Sequence, residues 1–425
     1  MSAYVLRRRV YLAGAIVLLA VFGGISPDGT RPVAAQQRDC NRPLPDPIMK
    51  FNVPSGELAV TRDGCWLFGL SVDATAPGGE TTKDGIAALR RTDTGIELHR
   101  FLPLRIPQAG NGTPTVGMAL THDDRMLVVS HSDWLTFLDV GKMTSGQDDP
   151  VLGVIESPRL SRSWGVVVSA DDKYAYAAQQ GASSVVIVDL DTIRKGIFNP
   201  SALVGLIPTA QGATTPLLSR DGRHLFTTTL RPPDVVEATP PCAGTKQPQG
   251  AVQVADVQRA RTDPASATIG FAHPAGCNPI SAALSPDGSR LLTVAPGPAV
   301  NPKLSALDSA IVAFDTRPIR DGKAPTLIAR VPVPPRVLRA VDGGDKLFLA
   351  FLGGPQEPEL MVKVTVIDAA SLASGKAKVL GTLPFPAIGL RLSPDGRTLF
   401  ALSGFGWSSL TVVDLQRAKL EPPAN

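Results

Sequence analysis

The sequence predicts an all-β chain closed into a seven-bladed β-propeller with four antiparallel strands per blade. Three observations predict it: a turn motif that recurs seven times, a strand ending on aspartate behind six of those turns, and one incomplete unit at each end of the array. The turn and its following strand read VTRDGCWLFGLS from Val60, LTHDDRMLVVS from Leu120, VSADDKYAYAA from Val168 and LSRDGRHLFTTT from Leu218. They return as LSPDGSRLLTVA from Leu284, as the degraded AVDGGDKLFLAF from Ala340, and as LSPDGRTLFALS from Leu392.

Each unit has a direct physical reading. An apolar strand runs into Asp-Gly or Asp-Asp, residues that tolerate positive φ in a tight hairpin. The second strand is apolar and often carries an aromatic, as in Leu399-Phe400. A third strand ends on Asp139, Asp189, Asp256, Asp315, Asp368 or Asp414, and the first unit departs from this with IAALRR at Ile86 to Arg91. A fourth strand follows, for example KVLGTLPFP from Lys378. The last unit stops after its third strand at Leu415, which would leave an exposed edge. The segment PIMKFNVPSG, Pro47 to Gly56, resembles the fourth strands and is expected to close the ring. The propeller is therefore placed at residues 47–419, with an N-terminal segment over 36–46 and a tail over 420–425.

Composition agrees with this reading. Forty glycines and 39 prolines, spread along the whole chain, favour many turns over long helices. A net charge of +4 from 42 basic and 38 acidic residues excludes a global nucleic-acid or membrane-surface reading.

The N-terminus reads as a processing segment over residues 1–35. Arg7-Arg8-Arg9, the apolar run Val10 to Ile25 and the ending Val33-Ala34-Ala35 form a secretory signal with cleavage after Ala35. That run is shorter than the ~20 residues of a comfortable membrane span. Arg8-Arg9-Val10-Tyr11-Leu12 also resembles a twin-arginine signal, although Arg7 stands where Ser or Thr is usual. Either route gives a periplasmic or secreted protein with no integral span after processing. Four cysteines suit an oxidising compartment, and their order suggests Cys40–Cys65 and Cys242–Cys277 among three possible connectivities.

At these residues a family resemblance enters. S-P-D-G, a strand, and then V-x-V-x-D resembles the YVTN-type β-propeller repeat of YncE-like periplasmic proteins, which is similar to the repeats of lactonase-type propellers. The defining Y-V-T-N survives only as echoes, LFALS at Leu399 and YAYAA at Tyr174. The resemblance implies a secreted or periplasmic seven-bladed propeller, often a binding platform, and hands over no catalytic set.

The repeated turn aspartates, such as Asp63, Asp221, Asp287 and Asp395, are explained by hairpin geometry, and the strand-end aspartates by bonds to neighbouring loops. No metal site and no cofactor are expected, because the five histidines show no ligand spacing. Ligands of propellers usually meet the segments leading into each innermost strand and the loops between second and third strands. The leading segments hold Arg162, Trp164, Asn278, Arg336 and Arg339, and the loops hold His131, Trp134 and Trp407. This set suits an anionic or aromatic ligand through ion pairing and stacking; the alternative is that these long side chains only fill the channel. The Pro-rich loops Arg231 to Gly250 and Ala295 to Asp308 are expected to rise on the same face.

The leading expectation is an exported, non-catalytic platform for a protein, a peptide, an envelope component or a small anionic or aromatic ligand. A lactonase-like hydrolase at the channel mouth and the propeller subunit of a periplasmic dehydrogenase complex are the alternatives. Nucleic acid is not an expected partner.

Overall fold

The structure is a computed structural model. It describes residues 40, 44–54, 57–71, 74–75, 81–82, 85–104, 116–131, 133–146, 149–234, 241–298, 308–334, 337–351, 363–404 and 407–423. The signal expected over residues 1–35 lies outside them.

Seven four-stranded antiparallel sheets follow one another along the chain as seven blades. Their innermost strands are Leu58–Val60, Val116–Leu120, Ser163–Val168, Ala213–Leu218, Ser281–Leu284, Val337–Asp342 and Gly389–Leu392. The second strands bury nearly every side chain because successive residues face opposite neighbouring blades. Leu291 packs into the interface of blades four and five, and Leu292 into that of blades five and six. Each pair of adjacent blades shares its own apolar cluster, so no single blade has a complete core alone.

The ring closes as the orphan strands require. Ile48–Pro54 pairs antiparallel with Trp407–Asp414, from Ile48 opposite Val413 to Pro54 opposite Trp407. Arg417 holds the approach to that strand by donating to the carbonyls of Leu44 and Pro45 at 2.6 and 2.8 Å. The chain end goes further than a tail: Thr382 and Glu421 exchange backbone hydrogen bonds of 2.9 Å on the outer strand of blade six.

The recurrent turn is a hydrogen-bonded device built from a hydroxyl and a carboxylate two residues apart. The Thr61 hydroxyl donates to the Asp63 carboxylate at 2.6 Å and accepts the Trp66 N–H at 3.1 Å. Thr121, Ser169, Ser219, Ser285 and Ser393 repeat this with Asp123, Asp171, Asp221, Asp287 and Asp395. The next residue needs positive φ: glycine supplies it at Gly64, Gly222, Gly288 and Gly396, and aspartate at Asp124 and Asp172. Those two aspartates also reach the preceding blade, where Asp172 accepts the N–H groups of His122 and Asp123 at 2.6 and 2.9 Å. The strand-end aspartates bond locally, within their own connections. Asp139, Asp189 and Asp256 cap the short helices Val140–Ser145, Leu190–Arg194 and Val257–Thr262, which the sequence reading did not foresee.

These turns set the acid limit of the fold. Hydrogen bonds from Ser285 and Ser289 hold the Asp287 carboxyl down at about 2. At Asp123, Asp171, Asp221 and Asp395 burial opposes ionisation, yet hydroxyl and N–H donors prevail and leave each carboxyl below its ordinary value. The unfolded chain therefore binds protons more readily. The stabilisation is complete above the ordinary carboxylate value of about 4 and is lost as pH falls toward 2. Asp287→Ala is expected to cost about 1 kcal/mol at neutral pH. Its melting curve should converge on that of the wild type as pH approaches 2, which thermal denaturation at stepped pH checks.

Candidate functional site

The innermost strands surround a channel of about 750 Å3, with walls drawn from every blade. One end is the turn face, where the Ser/Thr-x-Asp hairpins lie. The other is the mouth face, where the chain comes into each innermost strand and where second strands turn into third strands. On one side of the wall the backbones touch: a Cβ at Gly117 would lie 2.6 Å from the Gly165 Cα, and one at Gly165 would lie 2.8 Å from the Pro216 Cδ. Glycine at both positions lets blades two, three and four approach this closely.

The charges along the wall differ in how they are held. Arg339, half-buried on blade six, lies 3.6 Å from Glu57 of blade one, so this contact spans the width of blade seven. Arg220 donates to the Ser285 carbonyl at 3.3 Å. Asp342, with its side chain fully buried, takes a bidentate grip from Arg290 at 2.8–3.0 Å. Burial pushes the Asp342 carboxyl up, against the Gly344 N–H and the Arg290 guanidinium. Arg391 is different. It lines the channel from blade seven and is exposed, and among the described residues no hydrogen bond or ion pair holds its side chain.

The structure brings Trp164 and Arg339 to the channel wall and leaves other expected residues off it. Arg162 is exposed on the mouth face with φ +49°, its N–H donating to the Asp133 carboxylate at 3.2 Å. Asn278 is buried and occupied, its amide donating to the Gly297 carbonyl at 2.8 Å while its oxygen accepts from Gln247. His131 is 1% exposed inside blade two, edge-on to Trp134 at 5.6 Å, with Nε2 2.8 Å from the Thr136 hydroxyl. Its burial lowers the imidazole pKa to about 4, so it stays neutral, and Nδ1 has no partner. His131 and Trp134 face one another across their strands, and His131 belongs to the blade interior. Arg336 and the Trp407 side chain lie outside the described residues.

The mouth face between blades four and five is braced. A disulfide joins Cys242, in the loop after the second strand of blade four, to Cys277, in the link to blade five, with Cα atoms 5.8 Å apart. Asp308 accepts the Ala243 N–H at 2.9 Å and pairs with Arg330. The two sulfurs and this carboxylate lie within 4.8 Å of one another, but the sulfurs are bonded to each other and the carboxylate is already engaged. The other bridge, Cys40–Cys65, ties the N-terminal segment to the first hairpin on the turn face. Both pairings match the order expected from sequence.

No protein family and no curated protein sequence matches the chain. Solved structures do. Hydrazine synthase of Kuenenia stuttgartiensis is similar with a TM-score of 0.58 and 15% identity over 85% of this chain and 96% of that one. The chain is a seven-bladed β-propeller. U3-55K (TM-score 0.58, 12% identity, 88% and 100% covered) and the β-propeller domain of Myceliophteria thermophila Cps50 (Swd1) (0.54, 13%, 85% and 96%) share the fold. At such identities the likeness concerns the propeller alone.

Proposed function

We propose that this propeller is an exported, non-catalytic binding platform that receives a protein, peptide or envelope component on its mouth face. The observation that carries the reading is the braced surface between blades four and five. Cys242–Cys277, the Asp308 contacts and the Gln247–Asn278 bond fix this part of the mouth before any partner arrives. A surface already ordered gives up little conformational entropy on binding. The two disulfides favour an oxidising compartment, and among the described residues no helix is long and apolar enough to cross a membrane. The resemblance of the repeat to the YVTN type of YncE-like proteins supports a periplasmic or secreted setting.

Three of the five histidines are engaged within the scaffold. His122 bonds to Asp172 at 2.8 Å on the turn face, His99 lies edge-on to Trp66 at 5.0 Å, and His131 is enclosed in blade two. None of these three stands on the channel wall beside a nucleophile.

Recovery of envelope components on immobilised protein tests the reading. Arg162→Ala with Arg336→Ala is expected to lower recovery roughly tenfold, whereas Arg223→Ala on the turn face leaves it unchanged. Equal recovery by the double variant and the wild type would remove the mouth face from the account.

A further inference from the structure

We propose that the channel itself holds a small organic anion with a flat ring, its charged head on Arg391 and its ring against Trp164. The site deepens the reading of the channel end as the binding region, but it does not depend on the partner held outside the mouth.

Both groups line the same channel. Arg391 lies opposite Phe400, and Arg339 opposite Ala350. Counted from the equivalent hairpins, Arg391 is two residues deeper than Arg339, about 7 Å along the strand. Trp164 sits at the mouth end of blade three, one residue before Gly165, which is level with Arg339. Blade three faces blade seven across the ring, so the indole and the deeper guanidinium belong to opposing walls. A volume of about 750 Å3 accommodates a ligand of ordinary metabolite size.

The charge assignment follows from what is already spent. Asp342 is taken by Arg290, and Asp395 by Ser393 and the Arg397 N–H. Glu57 is the carboxylate facing Arg339, at a loose 3.6 Å. Arg220 is held by the Ser285 carbonyl, which leaves Arg391 as the arginine of the wall whose donors are all free among the described residues. Its planar fork matches a carboxylate, sulfonate or phosphate head through two parallel hydrogen bonds. An indole across the passage adds stacking for a flat ring.

Calorimetric titration of the full chain with naphthalene sulfonate tests this, with naphthalene methanol and naphthylmethylammonium as neutral and cationic counterparts. The sulfonate is expected to bind, one per chain, and the ammonium not to bind. Arg391→Ala should weaken the sulfonate about tenfold or more, Arg391→Lys by less, and Arg162→Ala not at all. Trp164→Ala should weaken the sulfonate and remove its preference over aliphatic sulfonates. Arg391 is exposed, so both of its variants should keep the wild-type melting temperature. Equal binding by Arg391→Ala and wild type, or equal binding of the ammonium, overturns the proposal. Because the titration uses no envelope component, it can fail while mouth-face recovery holds, and the reverse.

Discussion

Proline at both Lys50 and Phe51 is expected to open the ring, giving a low-temperature transition ahead of the main one and self-association in proportion to concentration. Consecutive positions in Ile48–Pro54 point their N–H groups alternately toward and away from the neighbouring strand. One of the two prolines must therefore remove a bond to Trp407–Asp414. The cost is about 3 kcal/mol or more, and it falls on the one blade whose strands come from both ends of the chain. Losing that strand uncovers the edge of Trp407–Asp414 and part of the cluster that joins blades seven and one, including Val53. The same double substitution at Val204 and Gly205, in the outer strand of blade three, weakens a blade whose four strands are contiguous in sequence. It should lower the melting temperature and leave a single transition. Differential scanning calorimetry with light scattering separates the two outcomes.

Asp342→Ala is expected to cost about 3–5 kcal/mol. The turn of blade six is the degraded copy of the repeat, closing with Asp342 opposite Leu347, whereas in blade five Leu284 pairs with Leu291 six loop residues away. No hydroxyl–carboxylate pair supports the shorter turn. Asp342 serves in its place, accepting the Gly344 N–H at 2.8 Å and joining blade six to blade five through Arg290. Removing the carboxylate leaves the Arg290 guanidinium, 20% exposed, without its partner. The double variant Asp342→Ala/Arg290→Met should recover much of the loss, since the unpaired charge then goes too. Urea denaturation of the single and double variants checks both values.

What was legible in the sequence is what the chain encodes locally. The Asp-Gly and Asp-Asp turns fix each hairpin within a few residues, so the blades could be counted before any contact was known. Ring closure was legible as well, because Pro47 to Gly56 and the strand ending at Asp414 were each incomplete alone. The hydroxyl two residues ahead of each turn aspartate was visible in every regular copy, but its role appears only once the Trp66 N–H, or its counterpart, is seen to reach it. The site was harder to read. Arg391 stands within a strand near its turn, and only the ring geometry brings that strand to the channel. His131 looked available at a strand end, and the pairing of Met126–His131 with both its neighbours encloses it. Asn278 looked like a ligand-binding amide, and the nearby loops, which sequence could not position, already use both its oxygen and its nitrogen.

The central claim, that a fixed mouth face receives the partner, is tested most directly by hydrogen exchange on the protein alone and with the envelope component it recovers. Slower exchange is predicted over residues 157–165, 241–250 and 273–281 on the mouth face, with the hairpins at 61–66, 219–223 and 393–397 unchanged. Protection confined to those hairpins or to the outer strands would contradict it.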